Sequence, residues 1–249
     1  MSKALQVDVS IIITTYNYAS YIEECIDSCL NQQESSLKYE VIIVDDGSTD
    51  ETPILLERLN NHLVRKFRIH NSGIEAACNF GFSKARGNYI LRVDADDRIL
   101  SNYLECMSES LSGGYDFYYP DYEVIDANGE VVGEMSLPEF DPPEIRSRGD
   151  FLATGTLYSA KILKEFYYSE NIKNCGLENY ELILRLLAAK KNGKHIPKKL
   201  FSYRRHSLNL SQHQKKKILE NGHQLFKKYF LGDYLINEYH PYISKGDYP

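Results

Sequence analysis

Tyr89-Ile90-Leu91-Arg92-Val93-Asp94-Ala95-Asp96-Asp97 runs from an apolar segment straight into three carboxylates. Like charges this close repel one another, and stability alone does not favour them at a strand end. A divalent cation, or the phosphate-bearing ligand of one, relieves the repulsion. Upstream, Val41-Ile42-Ile43-Val44-Asp45-Asp46-Gly47-Ser48 repeats the plan of an apolar strand entering an acidic turn. The two strand ends together point to one site.

Working outward, Val9 to Thr14 is short, β-branched and apolar almost throughout, the pattern of a strand covered on both faces. It ends at Thr15-Tyr16-Asn17. Ser20 and Glu23 make a capping box for a helix carrying Ile22, Cys25, Ile26 and Cys29 on one face. The unit recurs as strand Glu40 to Val44, turn Asp45 to Ser48 and a helix entered between Asp50 and Pro53. Val64 to Ile69 reads as a third strand, and Ile74, Ala77, Cys78, Gly81, Phe82 and Ala85 form a helix stripe ahead of the fourth. Strands alternating with helices at this spacing imply right-handed crossovers and a doubly wound, mainly parallel α/β sheet, whose ligands sit beyond the strand carboxyl ends.

After a helix near Ser101 to Leu111 the pattern becomes mixed α+β. Asp116 to Ile125 and Glu130 to Met135 read as a hairpin about Asn128-Gly129, and Pro138, Pro142 and Pro143 mark a loop. Thr156 to Ser159 returns to the sheet. Glu178 to Asn192 and Ser211 to Phe230 read as helices. The second opposes Ile218, Leu219, Leu225, Phe226 and Tyr229 with Lys215, Lys216, Lys217, Lys227 and Lys228.

The 249 residues, 43% of them hydrophobic, fit one large domain or one domain plus an appendage, and one large domain with a C-terminal extension is the expectation. A net charge of −6 argues against a general nucleic-acid binder, which needs a basic surface to displace counterions. The 5 cysteines are odd in number and lack CxxC pairing, so neither a zinc site nor a disulfide framework is indicated. The expected home is the reducing cytoplasm. The last helix offers a lysine face that could approach anionic lipid at the inner face of the cell membrane, or is simply solvated. Of 20 tyrosines, Tyr229, Tyr234, Tyr239, Tyr242 and Tyr248 cluster late, where they can stack on sugar, pack on their own domain or meet a partner subunit in a homo-oligomer.

Ser10-Ile11-Ile12-Ile13-Thr14-Thr15-Tyr16-Asn17, Val44-Asp45-Asp46-Gly47-Ser48-Thr49-Asp50, Asn71-x-Gly73 with Asn79-x-Gly81, Gly87-Asn88-Tyr89-Ile90 and Asp94-Ala95-Asp96-Asp97, in that order, resemble family 2 glycosyltransferases of the GT-A fold. The match is dense over roughly the first 110 residues and thins downstream to Gly176-Leu177-Glu178-Asn179-Tyr180-Glu181-Leu182 and Tyr203-Arg204-Arg205-His206. The resemblance implies one GT-A domain with a nucleotide-sugar half (1–112), an acceptor-binding and catalytic half (113–210) and a C-terminal helix and tail (211–249). It implies inverting transfer of a sugar from a nucleotide diphosphate donor to the hydroxyl of a saccharide or lipid-linked saccharide, with Mn²⁺ or Mg²⁺ as cofactor.

Residue by residue, the resemblance makes Asp96 the principal metal ligand, assisted by Asp97 and His206. Asp94 faces the ribose beside Ala95, and Arg205 clamps phosphate. Asp46 reads the base: a carboxylate accepts the N3–H of uracil and repels the unprotonated N3 of cytosine. Thr14, Thr15, Tyr16, Asn71 and Gly73 line the nucleotide site. Cys78 stands where many relatives carry arginine. The usual catalytic aspartate of a Glu-Asp pair is here Asn179, which cannot take up a proton, so the base role moves to Glu178. Glu181, one turn on, is the second candidate, or pairs with Arg185. A sugar-nucleotide nucleotidyltransferase and a non-catalytic relative are the competing functions.

Overall fold

Val9, Ile11, Ile12 and Ile13 have no exposure at all, which is why an almost wholly apolar run becomes the central strand β1 (Val9–Thr15) of a sheet covered on both faces. The computed structural model describes residues 7–33, 35–148, 155–171, 173–207, 209 and 214–234. From β1 the chain passes through α1 (Ile22–Leu30), β2 (Tyr39–Asp45), α2 (Thr52–Arg58), β3 (Val64–Arg68), α3 (Ile74–Lys84) and β4 (Tyr89–Asp94). Strands β3, β2, β1 and β4 lie side by side in that order, all parallel. Gly81 lets α3 settle onto β1, since a Cβ there would stand 2.5 Å from Ile12 Cγ2. Burying isoleucines in such a layer stabilises the fold by about 1.5–3 kcal/mol each.

The second half extends the same sheet: β5 (Arg98–Ile99), α4 (Tyr103–Ser110), β6 (Phe117–Ile125), β7 (Val131–Met135), α5 (Pro142–Arg148), β8 (Leu157–Ser159), α6 (Ala160–Glu165), α7 (Glu178–Ala188), β9 (Gly193–Arg204) and α8 (Lys215–Tyr229). The order continues β4-β8-β6-β9-β5, with β7 paired to β6. Here antiparallel pairs enter: β8 runs against both β4 and β6, whereas β9 is parallel to β6. The hairpin about Asn128-Gly129 forms as expected, with Gly129 at φ +87.

Several local expectations are corrected. Helix α1 starts at Ile22 behind Tyr21 with no side-chain cap, so the Ser20/Glu23 capping box does not form. Pro142 and Pro143 open α5 rather than mark a loop, because the first helical turn tolerates a missing N–H. Helix α7 stops at Ala188, and the 12-residue β9 follows where the sequence suggests no strand. Pro197 and three lysines disguise it. Its register with β6 jumps from Ile196 to Lys199, so a bulge absorbs the proline.

Helix α8 is fastened to the body rather than lying free. Lys217 Nζ donates to the carbonyls of Lys173 and Asn174, and Asn221 Nδ2 donates to that of Cys175. Tyr229 and Lys228 both donate to Glu181 Oε1. Two lysines of the supposed membrane face, Lys217 and Lys228, are thus turned to partners within the protein. Tyr234 packs on Phe226 with ring centroids 4.9 Å apart. Tyr239, Tyr242 and Tyr248 lie outside the described residues, as does the expected helix start at Ser211. Among the described residues no helix is long and apolar enough to cross a membrane.

Glu181 has a pH signature. Burial alone would raise its pKa, but Tyr229, Arg185 and Lys228 outweigh burial and hold it below the usual value. A carboxyl lowered on folding stabilises the fold above the unfolded value of about 4.3, and the contribution disappears as pH falls through the folded pKa. Glu181→Gln is expected to cost about 1 kcal/mol at pH 7, a melting-temperature drop of about 2–4 °C, and far less at pH 3. Thermal melts at the two pH values check this.

Candidate active site

The strand register brings the acidic turns together. Thr14 pairs with Asp94 across β1 and β4, and Thr15 with Asp45 across β1 and β2, so the three carboxyl ends share one edge. Asn17, at φ +61, ties two of these loops: its Oδ1 accepts the Thr49 N–H at 2.7 Å and its own N–H donates to Ser48 Oγ at 2.9 Å. Tyr16 is half exposed beside them. Thr14 and Thr15 are buried. The Thr14 hydroxyl lies 3.7 Å from Cys78 Sγ, while the Thr15 hydroxyl has no hydrogen-bond partner.

Asp46 organises the loop before α3. Its Oδ1 accepts the Ser72 N–H at 2.7 Å and its Oδ2 the Gly73 N–H at 2.9 Å. Burial raises its pKa, a trend opposed by those two N–H groups and by the Lys173 ammonium. Gly73, at φ +97, adopts a backbone that other residues rarely reach, and a Cβ there would stand 2.6 Å from the Lys173 stem. Lys173 Nζ donates to the carbonyl of Asn71 at 3.2 Å and to its Oδ1 at 2.9 Å. One cation from the second half therefore touches Asn71 and Gly73 and acts on Asp46. Lone lysines in loops carry no sequence signal, so reading the sequence alone misses Lys173.

At the end of β4, the acidic turn is held from the far end of the chain. Asp96 Oδ2 accepts from Asn209 Nδ2 at 3.0 Å and lies 3.0 Å from His206 Nε2. Asp97 Oδ1 accepts the Arg204 N–H at 2.8 Å, and Asp97 N–H donates to the Asp94 carbonyl at 3.0 Å. Ala95 is buried between them. The guanidinium of Arg204 is buried, donating to the Asp96 carbonyl and to Glu24 across the Tyr21 ring. Arg205, the expected phosphate clamp, has an exposed side chain, and its N–H donates to the Ile125 carbonyl at 2.8 Å. Tyr18 sits over the turn. Burial, with Asp96, Asp94 and Asp97 nearby, pushes its hydroxyl far above the ordinary value, so it stays a neutral hydrogen-bond donor.

Arg92 joins the two sides. It is buried in β4, with Nε and a terminal nitrogen each 2.8 Å from Asp94 Oδ1 and its other terminal nitrogen 2.9 Å from Glu178 Oε1. Tyr168 packs beside it and donates its hydroxyl to Asn179 Oδ1. Burial raises the Glu178 pKa, Arg92 opposes the rise and Glu75 adds to it. Glu181 instead faces Arg185 and α8, so the structure brings Glu178, not Glu181, to the Arg92 cluster.

Among the described residues, two groups of donor atoms invite a cation. Ligand atoms of Glu75, Cys175 and Glu178 lie within 4.8 Å of one another. Glu75 already accepts the N–H groups of Asn174 and Cys175, and the Arg92 guanidinium neutralises Glu178, so this set does not fit a divalent ion. Asp96 with His206 fits better: a carboxylate and an imidazole side by side suit a borderline ion such as Mn²⁺.

A family model described as Glycosyl transferase family 2 matches residues 10–166. The chain is 44% identical over 106 residues to a chondroitin synthase of Pasteurella multocida (strain Pm70), a match covering 41% of this chain and 11% of that protein. It is 25% identical over 219 residues to glycosyltransferase GlyA of Streptococcus pneumoniae serotype 4 (strain ATCC BAA-334 / TIGR4), covering 79% of this chain and 30% of that protein. It thus spans about a tenth to a third of the length of these curated relatives. The crystal structure of S. aureus TarS 1-349 in complex with UDP-GlcNAc superposes with a TM-score of 0.72 at 21% identity, over 92% of this chain and 68% of that one. The shared fold is that of a GT-A glycosyltransferase.

Proposed function

The chain belongs to glycosyl transferase family 2, and from that membership we propose that it moves a sugar, with inversion, from a uridine diphosphate donor to a hydroxyl of a saccharide or lipid-linked saccharide in polysaccharide synthesis. The observation that carries the proposal is the convergence of Asp94, Asp96 and His206 at the carboxyl ends of β4 and β9, beside the Asp46 loop. The UDP-GlcNAc complex of the structural neighbour supports a uridine donor, and the chondroitin synthase likeness supports a glycan product.

Uracil offers N3–H to the Asp46 carboxylate and carbonyl oxygens to donors such as Lys173; cytosine offers the opposite pattern on the N3 side. Asp94, with its carboxylate partly exposed, accepts from the ribose hydroxyls. Asp96 and His206, with Asp97 alongside, would hold a divalent cation, which stabilises negative charge on a departing diphosphate. Arg205 supplies a further positive charge at the edge of the turn. Glu178 takes the proton of the acceptor hydroxyl, for which a buried carboxyl with a raised pKa is suited. A second reading, a relative that binds donor without turnover, is favoured by Asn179, which carries no titratable group and is bonded to Tyr168.

Thermal stabilisation by UDP and CDP, each with and without Mn²⁺, tests the donor assignment. UDP with Mn²⁺ at one hundred times its dissociation constant is expected to add about 2.7 kcal/mol, and CDP much less. Equal stabilisation by both nucleotides would remove Asp46 from base reading.

A further inference from the structure

A guanidinium inside a strand that is otherwise apolar and covered on both faces needs a reason to be there. Arg92 is 4% exposed, yet each end of its fork meets a carboxylate from a different half of the chain. Asp94 is its neighbour two residues on, and the two point to the same side of β4 because side chains alternate along a strand. Glu178 comes from the first turn of α7, 86 residues later. Burying a carboxylate and a guanidinium beside a second, partly exposed carboxylate is costly, and an apolar cluster of similar volume would serve the core as well or better. What the ionic arrangement adds is a fixed distance and orientation between two groups that an apolar cluster could not aim.

We propose that Arg92 is a positioning residue for transfer: one planar fork that aims Asp94 at the donor ribose and holds Glu178 as the anion facing the acceptor. The inference rests on the glycosyltransferase reading above and extends it to a residue the sequence motifs do not contain. In the step concerned, the acceptor hydroxyl gives its proton to Glu178, its oxygen forms a bond to the anomeric carbon, and the bond from that carbon to the diphosphate oxygen breaks with its electron pair leaving on the diphosphate. Glu178 Oε1 is held by Arg92 at 2.9 Å, which leaves Oε2, 3.9 Å from Cys175 Sγ, as the oxygen that receives the proton.

The groups facing Glu178 are few. Arg92 from β4 favours its ionised form, while Glu75 from α3 opposes it, and Cys175 from the preceding loop is a buried thiol whose pKa is itself pushed up. Removing the guanidinium leaves only a backbone N–H against burial and Glu75, so the carboxyl must titrate higher. A lysine restores the charge but not the fork, because its ammonium is a point charge that cannot satisfy both carboxylates in one plane.

The test compares wild type, Arg92→Met and Arg92→Lys by pH profile of kcat, donor KM and calorimetric UDP affinity in Mn²⁺. Arg92→Met is expected to lose about 10²-fold in kcat, to raise donor KM, and to move the acid limb upward by about one pH unit or more. Arg92→Lys should keep the limb near its wild-type position while donor KM stays raised. An acid limb at the same pH in all three, with unchanged kcat and KM, overturns the proposal and leaves Arg92 a structural ion pair. If Arg92→Met does not fold, Arg92→Lys decides alone: kinetics indistinguishable from wild type overturn the fork, and a raised donor KM with an unmoved limb supports it. A wild-type protein that neither binds UDP nor transfers sugar defeats the glycosyltransferase reading itself, an outcome separate from normal transfer by both variants.

Discussion

Asp96→Ala is expected to abolish the Mn²⁺-dependent part of UDP binding and to lower kcat/KM by about 10³-fold, the scale of losing a preorganised charge partner for the leaving group. Asp96 is the acid that both His206 and Asn209 approach at 3.0 Å, so its removal empties the centre of the turn. Asp96→Asn keeps the shape and one acceptor oxygen but not the charge. It should therefore fold with a melting temperature near wild type and still lose metal-dependent binding. Calorimetric titration of UDP with and without Mn²⁺ reads both variants, and metal-dependent binding that survives in them would move the cation elsewhere.

Glu178→Gln is expected to lower kcat by about 10²–10⁴-fold while leaving UDP affinity within a factor of two or so, since an amide cannot accept the proton. The variant retains an acceptor oxygen for the Arg92 contact at 2.9 Å, so the buried cluster is disturbed less than by truncation. Glu181→Gln is the control one turn along the same helix. Its carboxylate serves Arg185, Lys228 and Tyr229, so its loss should appear in melting temperature and not in kcat. Full transfer by Glu178→Gln would take Glu178 out of the chemistry; failure of both variants to transfer would point to α7 as a whole.

Much of the first half of the chain is legible in the sequence because its signals are local. Val9 to Thr14 and Val41 to Val44 are buried on both sides and look it, and an acidic turn directly after such a run is a short, local pattern. The second half is harder for physical reasons. Strand β9 carries Pro197, Lys198 and Lys199 in its middle, and only pairing with β6 across a bulge, and with β5 on its other side, makes it a strand. The Ser20/Glu23 box satisfies a local rule that the loop from Asn17 overrides, because Asp50 and Ser48 hold that loop from another segment. Arg92 does carry a signal: a charge in a doubly covered strand implies a partner. Lys173 and Asn209 carry none, since their roles arise from contacts made across about a hundred residues of chain.

The pairing of Asp96 with His206 and Asn209 also fixes when the candidate site is first complete. During synthesis β1 to β4 emerge early and can pair among themselves, but the turn at Asp94-Ala95-Asp96-Asp97 waits for more than a hundred further residues before its imidazole and amide arrive. A chain folded only as far as residue 180 would hold Asp96 and Asp97 without the imidazole, the amide and the Arg204 N–H that approach them in the complete fold. On the proposed assignment of Asp96 and His206 to a cation, donor binding would begin only once residues 204–209 are in place.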